Sequence, residues 1–191
     1  YVEMALSCAR LESDSTDYVI RSLPLEQIVK PAVRKYAPMF ISKKLSLEMS
    51  SLTATVLTDE KWAQFIIEQI LSNSLKYTRT GGIRIYLEKK LSLDTDDVSI
   101  SIGNDDCNKV ENFTLVIEDT GIGIRAEDIP RIFEKGYTGV NGRDDNRATG
   151  IGLYLSNKIM RKLGHRLYIT STEGKGTKVF LEFSVEDLSM Y

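Results

Sequence analysis

Three polar side chains lie on one face of a predicted helix in the stretch EQILSNSLKYT, residues 68–78. Gln69, Asn73 and Lys76 are spaced i, i+4 and i+7, which places them on the same side of an α-helix. Amide oxygens are hard ligands that suit Mg²⁺ held together with phosphate, and an ammonium group can meet phosphate charge. A satisfied buried amide and a solvated lysine explain the same residues when each is taken alone.

Two glycine pairs offer places where the backbone could approach a ligand closely. They are DTGIG at 119–123 and TGIG at 149–152, and the second leads directly into a predicted helix whose first amides would attract phosphate. Ordinary turns explain each pair alone. A dinucleotide-binding fingerprint is disfavoured, because the position that needs its third glycine is Ala126.

Asp119 ends the segment FTLVIED at 113–119, which is apolar on both faces and is therefore predicted to be a central strand. A carboxylate at that end could accept a hydrogen bond from an exocyclic amine and so select adenine over guanine. A capped turn is the simpler alternative. Arg147 lies in a charged, glycine-rich loop before the second glycine pair and could meet phosphate, or could be a solvated surface group.

Composition excludes several classes of protein. The chain has 191 residues, with 25 Lys and Arg against 27 Asp and Glu, so nucleic acid is not expected as a partner. No apolar run approaches the ~18–20 residues that span a bilayer. Cys8 and Cys107 lack metal-binding spacing, which favours a reduced, cytosolic compartment. Because the first residue is Tyr rather than Met, we expect a piece of a longer protein.

The helix that carries the polar face begins near Thr58 or Asp59, which is the expected cap, and runs to about Tyr77. Its earlier turns carry Trp62 and Phe65 on the face that later turns polar. The start of the helix is therefore predicted to be fastened to the core and its end to present amides and an ammonium group.

Two further helices are predicted. One covers most of 25–43 and is expected to be kinked or broken near Pro31 or Pro38, where a backbone donor is missing. The other covers 151–164, with Gly164 as its stop.

Alternating or wholly apolar segments predict strands at 17–23, 45–49, around Val56, 83–87, 113–119, 166–170 and 177–185. Helices and strands mix without a regular βαβ repeat. The expected fold class is α+β, a two-layer sandwich with about three helices on one face of a mixed, mostly antiparallel sheet. Residues 90–111 are expected to form a hairpin extension or loop, with no function assigned.

Five segments in order resemble the sequence boxes of the catalytic domain of bacterial two-component sensor histidine kinases, within the GHKL ATPase superfamily. They are EQILSNSLKYT, IEDTGIGI, IPRIFEKGYTG, RATGIGLYLSNKI and GKGTKVFLEF. The resemblance covers roughly residues 17–185 and implies the Bergerat fold. ESDSTDYVIRSLPL and the GYTG after the third box are most similar to the intramembrane-sensing kinases of the bacitracin and antimicrobial-peptide response.

The resemblance implies Mg-ATP as the ligand. Asn73 would ligate Mg²⁺ with Gln69 beside it, and Asp119 would accept the adenine amine with help from a water held by Thr177. Asn73, Lys76 and Gln69 are the implied catalytic residues. The other implied contacts to the nucleotide are Lys76, Tyr77, Gly121, Gly123, Ile124, Phe133, Lys135, Arg147, Thr149, Gly150, Ile151, Gly152 and Leu153.

The resemblance also implies a domain plan and partners. Residues 1–16, with Tyr1, Met4, Cys8 and Leu11 at a/d-like spacing, would end a dimerisation and phosphoacceptor hairpin. Residues 17–191 would form the ATP-binding domain, with an ATP lid at 136–149.

In the implied reaction, the γ-phosphoryl group passes to a histidine on the upstream hairpin and then to a response regulator. The parent protein would be a homodimer anchored in the bacterial membrane, with this domain in the cytoplasm. The one histidine of this chain, His165, lies at a predicted helix-to-strand turn and is interpreted as a polar turn residue rather than the acceptor.

Other functions stay open. ATP-hydrolysing relatives in the superfamily use a glutamate one turn before the asparagine as a base, whereas this chain has Gln69 there and Glu68 about 100° away around the helix. A nucleotide-binding module without catalysis and a serine-directed kinase acting on an anti-anti-sigma factor are further alternatives.

Overall fold

The computed structural model describes residues 18–89, 113–139 and 149–183. The predictions for residues 1–16, for 90–111, for Arg147 and for most of the lid lie outside them. Within the described residues the elements in chain order are β1 (Ile20–Pro24), α1 (Leu25–Lys43), β2 (Ser46–Met49), β3 (Thr55–Asp59), α2 (Glu60–Tyr77), β4 (Gly82–Lys89), β5 (Phe113–Asp119), a 3₁₀ turn (Ile129–Arg131), α3 (Gly152–Lys162), β6 (Arg166–Thr172) and β7 (Gly176–Glu182).

The five-stranded sheet has the order β2–β4–β5–β7–β6. β5 is bonded antiparallel to both β4 and β7, β6 is antiparallel to β7, and β2 is parallel to β4. β1 and β3 form a separate antiparallel pair. The predicted central position of 113–119 and the mixed, mostly antiparallel sheet are confirmed.

The helices cover one face of this sheet and bury its apolar side chains. Ile83, Ile85, Leu115 and Ile117 alternate along β4 and β5 and are fully buried in a common core with α2 and α3. These four side chains form the face of the sheet that the helices cover, while Val116 on the other face of β5 is buried as well. The predicted two-layer α+β sandwich with three helices is confirmed.

α2 begins at a side-chain cap, as the sequence predicts. Asp59 Oδ1 accepts a hydrogen bond from the Trp62 amide at 3.1 Å, and Asp59 Oδ2 accepts one from the Val19 amide at 2.8 Å. The same carboxylate therefore starts the helix and fastens the chain before β1.

α1 is one continuous helix through Pro31 and Pro38, so the predicted break does not occur, whereas the kink predicted as its alternative stays a prediction. Both rings lie on the exposed side of the helix. The carbonyl groups of Gln27 and Arg34, which lose their usual donors, belong to exposed residues and can bind water instead.

The end of α2 is held by α1. Lys43 Nζ donates to the carbonyl oxygen of Leu75 and lies 3.5 Å from that of Thr78. A cation at a helix C-terminus satisfies carbonyl groups that lack a partner within the helix. α1 thus fixes the last turn of the helix that carries Asn73 and Lys76.

In the part of the chain that the structure describes, no helix combines the length and the apolar character needed to cross a membrane.

His165 lies at the turn between α3 and β6, as predicted, and it is buried there. It is 3% exposed, its Nε2 lies 3.1 Å from Thr58 Oγ1, and its ring meets that of Phe183 edge-on at 5.1 Å. Burial lowers the pKa of the imidazole from 6.5 to about 4. The neutral ring fastens the turn to β3.

Acidification is expected to destabilise the domain through His165. Its folded-state pKa of about 4 lies below the ordinary 6.5, so the stabilisation is complete above about pH 6.5 and is lost as the pH falls toward 4. The loss should reach about 2–3 kcal/mol. Urea unfolding at pH 7 and pH 4.5 should show a smaller loss in His165→Gln than in the wild type. Equal losses would contradict this role.

Candidate nucleotide site

A cavity of about 240 Å³ lies between α2, the start of α3 and the adjoining ends of β5 and β7. The residues that line it come from five separate parts of the chain, at 69–77, 119–139, 149–153, 169 and 177–179. Those predicted from the sequence are Gln69, Asn73, Lys76, Tyr77, Asp119, Gly123, Ile124, Thr149, Gly150, Gly152, Leu153 and Thr177. The structure therefore brings together most of the predicted site residues.

The polar face of α2 turns toward the cavity as predicted. Gln69, Asn73 and Lys76 are half-buried and line the cavity, whereas Ile66 is buried in the core beside them. Lys76 Nζ lies 5.0 Å from the centroid of the Tyr77 ring. Two amides and one ammonium group thus share one wall.

Glu68 is directed away from this wall and toward α1. Its Oε2 lies 2.5 Å from Lys35 Nζ, and its Oε1 accepts a hydrogen bond from Gln64 at 3.0 Å. The acid next to Gln69 in sequence is therefore engaged on another side of the helix. Two other carboxylates, Asp119 and Asp128, line the cavity.

Asp119 is 6% exposed at the end of β5. Its Oδ2 accepts a hydrogen bond from the Ser74 hydroxyl at 2.9 Å, and its Oδ1 accepts one from the Gly121 amide at 2.9 Å. Burial raises the pKa of this carboxyl, while the hydrogen bonds from Gly121, Ser74 and the Thr177 backbone oppose the rise. The group is an oriented acceptor at the inner end of the cavity.

The first glycine pair is required by protein packing. A Cβ at Gly121 would lie 2.8 Å from both Asp119 Oδ1 and the Tyr77 carbonyl oxygen. Gly123 has φ +70°, and a Cβ there would lie 2.1 Å from the Thr172 carbonyl oxygen. The resemblance implied that both glycines make room for base and ribose. In the structure the space beside each α-carbon is filled by the chain itself.

A matched pair of glycine substitutions tests this packing. Gly123→Ala is expected to destabilise the domain by about 3 kcal/mol. It forces an alanine into the left-handed conformation of Gly123 and brings its Cβ against the backbone of Thr172. Gly174 has φ +78° but open space around a Cβ, so Gly174→Ala should cost only about 1 kcal/mol. Urea unfolding measures both, and equal costs would contradict the clash.

The second glycine pair shapes the start of α3. Gly150 has φ +62°, and its carbonyl oxygen accepts the Gly136 amide at 3.1 Å. A Cβ at Gly152 would lie 2.9 Å from Gln69 Oε1. α3 starts without a side-chain cap, although Thr149 Oγ1 accepts the Ile151 amide at 3.3 Å. The first turn of α3 therefore opens onto the cavity beside Gln69.

Four predicted residues in the described chain do not line the cavity. The Gly121 amide donates to Asp119 Oδ1, but the residue itself does not border the cavity. Phe133 and Ile151 pack against the hydrophobic core. Lys135 Nζ lies 6.0 Å from the centroid of the Tyr154 ring.

The sequence prediction missed several polar residues of the site, among them Ser72, Ser74 and Asp128. Ser74 follows Asn73 directly, so a helical wheel combined with the strand-end position of Asp119 could have found it. Asp128 is 8% exposed and accepts a hydrogen bond from the Tyr137 hydroxyl at 2.5 Å. Arg131 lies 4.3 Å from the centroid of that tyrosine ring. No pattern in the sequence pairs these residues.

Groups of three or more His, Cys, Asp or Glu side chains that could hold a metal ion are absent from the residues that the structure describes. The candidate metal ligands are the amide oxygens of Gln69 and Asn73, which cannot complete a coordination sphere without oxygens from a bound phosphate or from water.

The chain matches the family described as "Histidine kinase-, DNA gyrase B-, and HSP90-like ATPase" over residues 58–187. That range contains the polar face of α2, both glycine pairs and the whole cavity. The fold and the site thus define an ATPase domain of this class, and the chain belongs to that family.

Individual relatives agree with this assignment. The sensor protein kinase GraS of Staphylococcus aureus (strain JH1) is 34% identical over 187 residues, which are 97% of this chain and 49% of the relative. The sensor histidine kinase GraS of strain Mu50 / ATCC 700699 matches equally well. The chain spans about half the length of these curated relatives.

Solved structures share the fold. Full-length ShkA in complex with AMPPNP superimposes with a TM-score of 0.72 at 20% identity, over 95% of this chain and 34% of that chain. The Acinetobacter baumannii histidine kinase AdeS superimposes with a TM-score of 0.67 at 17% identity, over 97% of this chain and 77% of that chain.

Proposed function

We propose that this domain binds Mg-ATP and donates the γ-phosphoryl group to a histidine outside these 191 residues, as part of a two-component relay to a response regulator. The parent protein would be a membrane-anchored homodimer, and this domain would lie in the cytoplasm. Membership of the ATPase family and 34% identity to sensor kinases support the proposal. Transfer would depend mostly on positioning and charge neutralisation.

The observation that carries the proposal is the chemistry of the α2 wall. The position one turn before Asn73 holds an amide, Gln69, and the neighbouring acid, Glu68, is engaged by Lys35 of α1 outside the cavity. An amide cannot take a proton from water. The site is therefore suited to hold ATP for another acceptor rather than to hydrolyse it.

The residues present fit Mg-ATP. Asp119 would accept the adenine amine, with Thr177 beside it, and Asn73 and Gln69 would hold Mg²⁺ through their amide oxygens. The amides at Gly150, Ile151 and Gly152 would receive phosphate at the uncapped start of α3.

Several side chains complete this assignment. Lys76 and Tyr77 would line the triphosphate, and Thr149, Leu153 and Ile124 border the same cavity. Lys135 and Arg147 are proposed to reach phosphate from the lid. The bound metal would neutralise phosphate charge.

His165 does not fit the role of acceptor. It is the single histidine of the chain, it is 3% exposed, and its ring contacts Thr58 and Phe183 in the core. The acceptor is therefore proposed to lie on a separate helical hairpin.

Phosphotransfer to an added acceptor tests the proposal. The chain would be incubated with γ-labelled Mg-ATP and a separately purified sensor-kinase dimerisation domain that carries its phosphoacceptor histidine. We expect acid-labile, base-stable label on the added domain, no label on this chain, and little free phosphate.

Two substitutions separate transfer from hydrolysis. Glu68→Ala should leave phosphate release at its low level, whereas Gln69→Glu should raise it, because it places a carboxylate where superfamily ATPases have their base. Rapid phosphate release by the wild type that Glu68→Ala abolishes would instead identify a hydrolase. Calorimetry that shows no binding of Mg-ATP would identify a module without nucleotide chemistry.

A further inference from the structure

Ser74 connects the helix that carries the metal-binding amides to the strand end that carries the adenine-binding carboxylate. It is 3% exposed on α2, and its hydroxyl donates to Asp119 Oδ2 at 2.9 Å. The two residues are 45 positions apart in the chain. This contact belongs to tertiary structure and not to the local turn of the helix.

A buried serine in a helix has a local alternative for its hydroxyl, and this chain shows it. Ser156 on α3 is fully buried, and its hydroxyl donates to the Gly152 carbonyl oxygen four residues earlier at 2.9 Å. Ser74 donates to the carboxylate instead. The two serines therefore form a natural comparison between a hydroxyl that acts on the site and one that satisfies its own helix.

The surroundings of Asp119 determine what the carboxylate can recognise. An ionised carboxylate accepts about four hydrogen bonds. The Ser74 hydroxyl on α2 and the Gly121 amide after β5 each donate to one of its two oxygens, which fixes the carboxylate and leaves it able to accept from a ligand.

The protonation state of Asp119 decides between two kinds of purine. An ionised carboxylate only accepts, so it matches a 6-amino group and opposes the carbonyl oxygen of a 6-oxo purine. A protonated carboxyl could donate to that carbonyl. Burial favours the protonated form, and the hydrogen bond from Ser74 favours the ionised one.

We infer that Ser74 is a positioning residue that holds Asp119 as a fixed acceptor and so sets the preference of the site for a 6-amino purine over a 6-oxo purine. This inference rests on the proposed function, because it takes the cavity to be the nucleotide site.

Removal of the hydroxyl should change selectivity more than stability. Ser74→Ala leaves a good helix former on α2 and removes one donor from a charged acceptor. Affinities for Mg-ATP and Mg-ITP would be measured by calorimetry on the whole chain. We expect the wild type to bind Mg-ATP more tightly than Mg-ITP. Ser74→Ala should reduce the ratio of the two affinities by about tenfold, chiefly through weaker binding of ATP. Ser156→Ala, the matched control, should keep the ratio.

The outcomes distinguish this inference from the proposed function. The inference is overturned if folded Ser74→Ala keeps the wild-type ratio of ATP affinity to ITP affinity, or if it loses affinity for both nucleotides equally. The nucleotide site still stands in that case if Asp119→Asn removes the preference for ATP. If the wild type binds neither nucleotide, the proposed function itself fails. Should Ser74→Ala not fold, Ser74→Cys keeps a similar volume with a weaker donor, and the same loss of preference is required of it.

Discussion

Asp119→Asn is expected to lower the affinity of the chain for Mg-ATP by about 100-fold, or about 3 kcal/mol. The carboxylate is surrounded by donors, with the Ser74 hydroxyl on one oxygen and the Gly121 amide on the other. An asparagine offers one acceptor oxygen and places an NH₂ group against one of these donors or against the ligand amine. If the amide oxygen faces the Gly121 amide, the Ser74 hydroxyl can rotate and accept from the NH₂ group, but that NH₂ group then replaces an oxygen that could accept from the ligand amine.

The folded state should tolerate this substitution. Burial raises the pKa of Asp119, which means that the ionised group is held at some cost in free energy. Its replacement by a neutral amide offsets part of the lost hydrogen bonding. We therefore expect the unfolding free energy to change by less than about 1 kcal/mol, which urea unfolding would measure.

Asp128→Asn is the matched control, because Asp128 is also a buried acid that lines the cavity. Its partner is the Tyr137 hydroxyl, which can rotate and accept from an amide. Calorimetry should show a loss of ATP affinity below about fivefold. A comparable loss in both variants would mean that general burial of charge, and not the position of Asp119, determines nucleotide binding.

The fold could be predicted largely from local patterns. The segment at 113–119 is apolar on both faces, which only a central strand explains, and it lies third in the five-stranded sheet. Asp59 followed by an acidic first turn predicted the start of α2, and the side chain caps it. These predictions succeed because they depend on neighbours in sequence.

Predictions that depended on the environment of a residue were less reliable. α1 was expected to be kinked or broken near Pro31 or Pro38, yet the helix runs through both, and the freed carbonyl groups belong to exposed residues that water can reach. The turn position of His165 was predicted, but its burial against Thr58 and Phe183, which come from other parts of the chain, was not. Solvent access decides the first case, and packing against distant segments decides the second.

The candidate site shows the same division. Gln69, Asn73 and Lys76 are related by helical spacing, and all three line the cavity. The contact between Ser74 and Asp119 joins a helix to a strand across 45 positions, and the contact between Asp128 and Tyr137 depends on how a loop folds back. Spacing along the chain places Ser74 beside the polar face of α2, but it does not identify the partner in either contact.

Asn73→Ala is expected to abolish Mg²⁺-dependent binding of ATP, with a loss of about 100-fold in affinity when Mg²⁺ is present. Asn73 lines the cavity in the penultimate turn of α2, and its amide oxygen is a hard ligand of the kind that Mg²⁺ requires. Alanine has a higher helix propensity than asparagine, so the helix itself should not weaken.

Calorimetry with a non-hydrolysable ATP analogue, in Mg²⁺ and in EDTA, separates metal binding from contact with the nucleotide. The wild type should bind more weakly in EDTA, and Asn73→Ala should resemble the wild type in EDTA under both conditions. An equal loss with and without Mg²⁺ would show that Asn73 contacts the nucleotide rather than the metal.

Asn157→Ala is the control for this experiment, because it makes the same change in α3 at a half-buried position that does not line the cavity. It should keep the Mg²⁺ dependence of the wild type. Gln69→Ala should show an intermediate loss, since Gln69 lies one turn earlier on the same wall and also contacts the start of α3 near Gly152. The Mg²⁺ dependence of nucleotide affinity should therefore fall most in Asn73→Ala, less in Gln69→Ala and not at all in Asn157→Ala. That order would place the cation beside Asn73 on the polar face of α2.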